Sequence, residues 1–422
     1  MDAGHEYVST QVARRMWFFE GIPMRAAAFL YPWDVVGDPE AARRTAGLGV
    51  AQVTLAAAYH STRALTPRHP EHRVVTARHS AVLYPPSPER WAGRALRPYT
   101  QDWLPGPDPY EEAARALTDA GLEVHSWVVL AHNSRLGAEH PESVVRNAYG
   151  DAYPWAPCIA RPEVHEYLVT LAAEAAVRPH TRGTELESCG WYGLAHLHAH
   201  DKTGGVPLSG AAQYLMSLCF CTECRHGYAA LGADPEELRQ AVLRALAPVW
   251  AGGGSGGAGD RAGEWAEVVE ALGEAYVGVV AGWRNRAAKE LRRDAVAAVR
   301  AAAGPDFRIL LHADPAPHRC GANAGVQPGQ IFDYADGVVV PCTGSAEERA
   351  AALAPFTGRG VRAANFTVVR GMGGSPDTLA ADAAHAATSG ADELRLYHAG
   401  LASDVDLEEV RTALTELSGS GA

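Results

Sequence analysis

The chain has 422 residues, 47% of them hydrophobic and 20% charged, which is ample for a large soluble core. A net charge of -12 and a pI near 5.8 argue against a nucleic-acid or anionic-membrane partner, because that balance leaves little room for a basic face. There is neither a membrane-length apolar run nor a signal-peptide pattern, and seven cysteines, an odd number, fit a reducing compartment, so a cytoplasmic protein is expected.

Short apolar runs bounded by turn or helix signals read as buried parallel strands. The first is AAAFLY at 26–31, followed by a helical stretch over 38–47. QVTLAA at 52–57 leads into a long Pro- and His-rich excursion that ends near residue 106. A helix over 110–120 precedes EVHSWVVL at 123–130, and another over 162–176 precedes GTELES at 183–188. A long connection over 190–262 then carries SLCFCTECRHG and the surface loop GGGSGGAG, and a helix over about 262–302 follows. Strands resume with FRILLH (307–312), GVVVP (337–341), AANFTVV (363–369) and ELRLYH (393–398), with helical patterns between them.

Eight strands alternating with helices is the count of a (β/α)8 TIM barrel, here one domain over 1–422 with a long insertion after the fourth strand. A doubly wound sheet is the rival, weakened because TyrProTrpAsp, not a Gly-rich phosphate loop, follows the first strand.

Barrel enzymes carry their chemistry at the C-terminal ends of the strands. Glu187 closes the fourth strand there, on the same face as Glu185, and is the expected general acid. Asp314 on the fifth strand is the expected second carboxylate, with Asp34 after the first strand as the alternative. Tyr59, His60, Trp191, His312, Tyr397 and His398 form an aromatic and polar rim suited to a sugar, whose CH faces stack on rings while its hydroxyls demand polar partners. In HLHAH at 196–200 the alternate histidines could bind zinc if extended, but their loop position favours substrate contact for His198 and His200.

Cys219, Cys221 and Cys224 supply three soft ligands from one turn, and tetrahedral zinc wants a fourth, from Cys189, Cys158, His226 or a more distant cysteine. A site closed by four protein ligands is structural.

A carboxylate ending the fourth strand and a downstream Cys-x-Cys-x-x-Cys together resemble the glycoside hydrolase family 42 β-galactosidases. LESCGWYG and SLCFCTEC are also similar to bacterial barrel proteins grouped as hypothetical glycoside hydrolases. The resemblance spans roughly 158–228 plus the barrel pattern. It implies Glu187 as acid/base and Cys158, at the head of CIARPEVHEYLVTLAAEAA, as the fourth ligand of a structural Zn2+. Glu187 follows Leu186 where that family has Asn, and AANFTVVR offers no seventh-strand glutamate, so galactose specificity is not implied.

The expected activity is glycoside hydrolysis on a sugar or glycoconjugate, with no organic cofactor. A metal-dependent hydrolase using HLHAH with Asp314, and a non-catalytic carbohydrate-binding barrel, are the alternatives. Nothing in the sequence decides between a monomer and a homo-oligomer.

Overall fold

The computed structural model describes residues 24–197, 201–206, 208–253 and 260–419. Eight parallel strands form the barrel: β1 (Arg25–Leu30), β2 (Gln52–Tyr59), β3 (Glu123–Val129) and β4 (Thr181–Glu187), then β5 (Arg308–Asp314), β6 (Gly337–Pro341), β7 (Val361–Thr367) and β8 (Glu393–Tyr397). Each strand pairs with the next, and β1 pairs with both β2 and β8, which closes the ring. The protein is a (β/α)8 TIM barrel.

The strands alternate between two buried environments. Outward residues such as Val53, Leu55, Val124, Leu186, Ile309 and Leu311 pack in the main core with the surrounding helices. Inward residues fill the barrel, with Phe29, Ala56 and Trp127 in one cluster and Leu310, Val339 and Ala363 in another.

The helices begin where the sequence supplies caps. α1 (Ala41–Ala46) is a short turn after β1, whereas α2 (Pro109–Asp119) starts on Asp108, whose side chain accepts from the Glu111 amide, with Pro109 at the first helical position. α3 (Pro162–Ala176) buries Val164, Leu168, Leu171 and Ala175, a stripe at helical spacing.

The insertion after β4 holds α4 (Gly210–Met216), α5 (Thr222–Ala230), α6 (Pro235–Trp250) and the start of α7 (Arg261–Ala303). Gly273, at φ 74° and ψ 158°, breaks α7 into two helical pieces. α7 packs along α3 and α4, and so ties the insertion to the barrel wall. α8 (Ala346–Leu353), α9 (Leu379–Thr388) and α10 (Asp404–Gly419) complete the outer layer.

Two antiparallel hairpins, Thr62–Leu65 with Val74–Ala77 and Val144–Arg146 with Ala152–Pro157, stand in the loops after β2 and β3. The first lies inside the Pro- and His-rich excursion, where the sequence pattern predicts only a loop. No described helix is long and apolar enough to cross a membrane.

Candidate active site

Alternation along β4 turns Leu186 outward into the core and sends Glu185 and Glu187 inward. Glu185 is the deeper of the two. It accepts from Arg395 Nε at 2.7 Å and from Thr54 Oγ1 at 3.2 Å, and Arg395 also pairs with Glu393 at 3.0 Å. Burial alone would raise the Glu185 carboxyl, but the charge of Arg395 and then the His312 ring outweigh it and hold it well below the usual carboxylate range.

Glu187 lies one step nearer the mouth and is 4% exposed. Trp127 Nε1 donates to its Oε2 at 2.8 Å, and His312 Nδ1 stands 3.9 Å from the same oxygen. Burial pushes the carboxyl above its ordinary value, while His312 and Trp127 act in the opposite direction. A carboxyl in this setting can hold its proton to higher pH and give it up as a general acid.

Rings surround Glu187 on several strands. Tyr59 and Tyr397 approach Trp127 with centroids 4.8 and 5.7 Å away, and Phe29 lies 5.3 Å from Tyr397. The Tyr31 hydroxyl meets His398 Nδ1 at 3.0 Å. Ser188 (φ 55°) and His398 (φ 64°), each the residue following its strand, both sit in the left-handed region without being glycine. Such strain at strand ends is typical of functional sites.

Three histidines stand at the same end. His60 stacks on Tyr59 with its Nδ1 2.9 Å from the Ser61 carbonyl, and His132 stacks on Tyr192 with its Nδ1 3.2 Å from the Trp155 carbonyl. Burial pushes His60 down to about 4 and His132 down to about 2, helped by the neighbouring imidazoles, so both are neutral at pH 7. His196 contacts both rings from the loop after β4.

The structure thus brings Tyr59, His60, His312, Tyr397 and His398 together around Glu187. Asp314 faces inward like His312, but Arg261 Nε and Nη2 take its two oxygens at 2.9 Å each. Leu311 pairs with Leu186, so Asp314 stands two residues, about 6–7 Å, beyond the level of His312 and Glu187.

Asp34 lies elsewhere. It accepts from the Tyr31 amide at 2.8 Å and lines a small cavity with Leu48, Arg68 and Leu407, between β1 and the outer helices. Trp191 is also drawn away from the mouth, since its indole donates to the Arg284 carbonyl at 3.0 Å and its ring stacks under the Arg284 guanidinium. His198 and His200 lie outside the described residues. Trp127 and Arg395 are site residues that the strand-end reading misses. Both sit on inward strand positions, and on β8 the other parity, Leu394 and Leu396, is apolar.

A groove of about 940 Å3 opens on the Arg261 side of Asp314, lined by Arg261, Trp265, Pro315, His318, Pro341 and Thr343 among others. It lies between the start of α7 and the loops after β5 and β6, and Arg261 links it to Asp314.

Away from the mouth, Cys158, Cys219, Cys221 and Cys224 are buried with their sulfurs within 4.8 Å of one another. Cys158 Sγ is 3.7 Å from both Cys221 Sγ and Cys224 Sγ. That is too long for a disulfide and matches the edge, about 3.8 Å, of a sulfur tetrahedron around an ion bound at about 2.3 Å. The Arg146 and Cys221 amides donate to Cys219 Sγ at 3.5 and 3.4 Å, which suits a thiolate. The four residues could hold a metal ion, and of the alternatives for the fourth position the structure gathers Cys158.

No protein-family model and no curated protein matches the chain. Solved structures do. The fold is similar to the glycoside hydrolase domain of PgaB (BpsB) from Bordetella bronchiseptica, at 14% identity and TM-score 0.54, over 93% of this chain and 99% of that one. It is similar to α-L-fucosidase isoenzyme 2 from Paenibacillus thiaminolyticus, at 12% identity and TM-score 0.56, over 94% of this chain and 49% of that one. It is also similar to the β-galactosidase of the psychrophilic Marinomonas ef1, at 10% identity and TM-score 0.53, over 93% and 59%. The chain therefore spans about half the length of that fucosidase and three-fifths of that galactosidase. At these identities the likeness is one of fold, that of a (β/α)8 barrel.

Proposed function

We propose that the protein is a glycoside hydrolase in which Glu187 is the general acid. The observation that carries this reading is a buried carboxyl at the C-terminal end of β4, hydrogen-bonded by Trp127 and ringed by Tyr59, Tyr397 and His312. Burial that raises the Glu187 carboxyl above its ordinary value favours the protonated form that protonation of a glycosidic oxygen requires. Tyr59, His60, Tyr397 and His398 would bind the sugar by stacking and hydrogen bonding. Asp314 is the proposed second carboxylate. Its place one layer beyond Glu187 favours the wider spacing at which a water fits between the two groups and the anomeric configuration inverts.

The thiol quartet is proposed to hold Zn2+, which when bound would cross-link the hairpin ending at Cys158 to the insertion without touching the glycosidic bond. Reduced, metal-bound thiols fit a cytoplasmic setting.

Turnover of a panel of aryl glycosides tests the reading. Glu187→Gln should lose about 10²–10⁴-fold in kcat, with an unchanged circular dichroism spectrum. Undiminished turnover in this variant removes the assignment. A second reading, sugar binding without catalysis, rests on β7, where Asn365 stands inward and no carboxylate does. Tight sugar binding with no turnover across the panel would favour it.

A further inference from the structure

α7 carries Asn285, Lys289 and Arg292 at i, i+4 and i+7, a spacing that sets all three on one face, with Arg286 beside them. Opposite stand Gln327, Gln330 and Tyr334 from the segment after β5, and the two walls enclose a pocket of about 310 Å3. Asn285 and Gln327 also line the larger groove beside Arg261, so the two cavities adjoin.

No acidic residue lines this pocket. Asp294, two residues on from Arg292, pairs instead with His165 at 3.0 Å and Arg293 at 3.6 Å. Among the described residues Arg286, Lys289 and Arg292 form no ion pair. Arg292 is 3% exposed, its Nη1 donates to the Gly325 carbonyl at 3.2 Å, and its Nε is buried without a partner. A guanidinium buried this way has lost its hydration without gaining a counter-charge, which is costly until an anion supplies one. Lys289 Nζ donates to Gln330 Oε1 at 2.7 Å, which leaves the Gln330 amide nitrogen as a further donor.

We propose that this pocket binds a tetrahedral oxyanion, a phosphate or sulfate group, free or carried by a ligand that lies in the adjoining groove. Three cations and amide donors with no acid among them match a dianion. Arg292, at the buried side, offers the planar fork of donors that suits phosphate oxygens. A volume of about 310 Å3 lies at the low end of small-molecule sites, about 300–1,000 Å3, so the oxyanion fits together with part of a carrier molecule. The pocket shares no residue with the Glu187 cluster, so anion binding there is independent of the glycosidase reading.

The test is titration of the full-length protein with inorganic phosphate and, in parallel, with glucose 6-phosphate, read by calorimetry and by melting temperature. One saturable site per chain is expected, which chloride at the same ionic strength does not fill. Arg286→Gln combined with Lys289→Gln, both exposed positions that spare the fold, should weaken binding at least tenfold. Tighter binding of glucose 6-phosphate than of phosphate supports an anion carried by a groove ligand, and equal binding supports a free ion. Neither probe saturating above the chloride control overturns the proposal, as does unchanged affinity in the double variant.

Discussion

Trp127 donates its indole N–H to Glu187 across 2.8 Å, from β3 to β4. The bond favours the charged form of a carboxyl whose burial favours the neutral one, so the two effects oppose each other at the proposed acid. Trp127→Phe keeps an aromatic ring and removes the donor. A hydrogen bond to a charged group is worth about 1.5–3 kcal/mol, and one pKa unit is about 1.4 kcal/mol, so losing the bond should raise the Glu187 pKa by about 1–2 units. Activity requires the protonated acid and falls above its pKa, so the basic limb of the kcat/KM profile should move to higher pH. A limb that stays in place while kcat falls would mean that the indole only shapes the pocket.

Glu185 and Arg395 form a fully buried ion pair at 2.7 Å, supported by Thr54 and Glu393. Removing one partner leaves an uncompensated charge inside the barrel, at a cost of about 3–5 kcal/mol. Arg395→Met should therefore lower the urea midpoint sharply, and the double variant Glu185→Gln with Arg395→Met should recover part of the loss. The Glu185 carboxyl is held well below its ordinary value, so its contribution is present above the unfolded pKa and disappears only as pH falls through the folded one. The Arg395→Met deficit should accordingly persist across neutral pH. Equal stability of single and double variants would show that the charge is relieved by some other group.

All eight strands were readable from sequence to within about two residues, because a strand buried on both sides leaves an apolar run bounded by turns. The inward position of Glu187 was readable for a related reason, since period-2 alternation in TELES fixes its face. Which distant residues it meets was not. Arg395 is 210 positions from Glu185, and only closure of the ring brings them together. The same limit explains Asp34 and Trp191. Both follow strand ends, yet the chain turns at Tyr31 and points Asp34 outward, while α7 offers the Arg284 carbonyl to the Trp191 indole. The cysteine spacing announced a metal-type turn, but choosing Cys158 among the remaining cysteines needed the fold or the family resemblance.

Removal of metal from the thiol quartet should loosen the insertion. The Phe220 amide donates to the Arg146 carbonyl at 2.7 Å beside the cluster, so insertion and hairpin are joined there both by backbone and by sulfur. Treatment with a strong chelator, or Cys158→Ser, should lower Tm and speed proteolysis between α4 and α6. Hydrogen exchange should rise first in α5 and in the hairpin Val144–Arg146/Ala152–Pro157. Unchanged exchange in these segments after verified loss of metal would rule out a structural role for the ion.

Asp34 offers a stability test independent of catalysis. Burial pushes its carboxyl up to about 7, against the Tyr31 amide and Arg68, which act downward. An unfolded aspartate titrates near 3.9, so between about pH 4 and 7 the folded chain keeps a proton that the unfolded chain has lost. Stability from this group is complete below the unfolded pKa and declines as pH rises through the folded one, by about 4 kcal/mol in all. Asp34→Asn stays neutral throughout and keeps an oxygen for the Tyr31 amide. The variant should match the parent in urea unfolding near pH 4 and exceed it progressively up to pH 8, with an unchanged m-value. A stability difference that does not vary over this range would mean that Asp34 is ionised in the folded protein, with Arg68 supplying the charge that burial withholds.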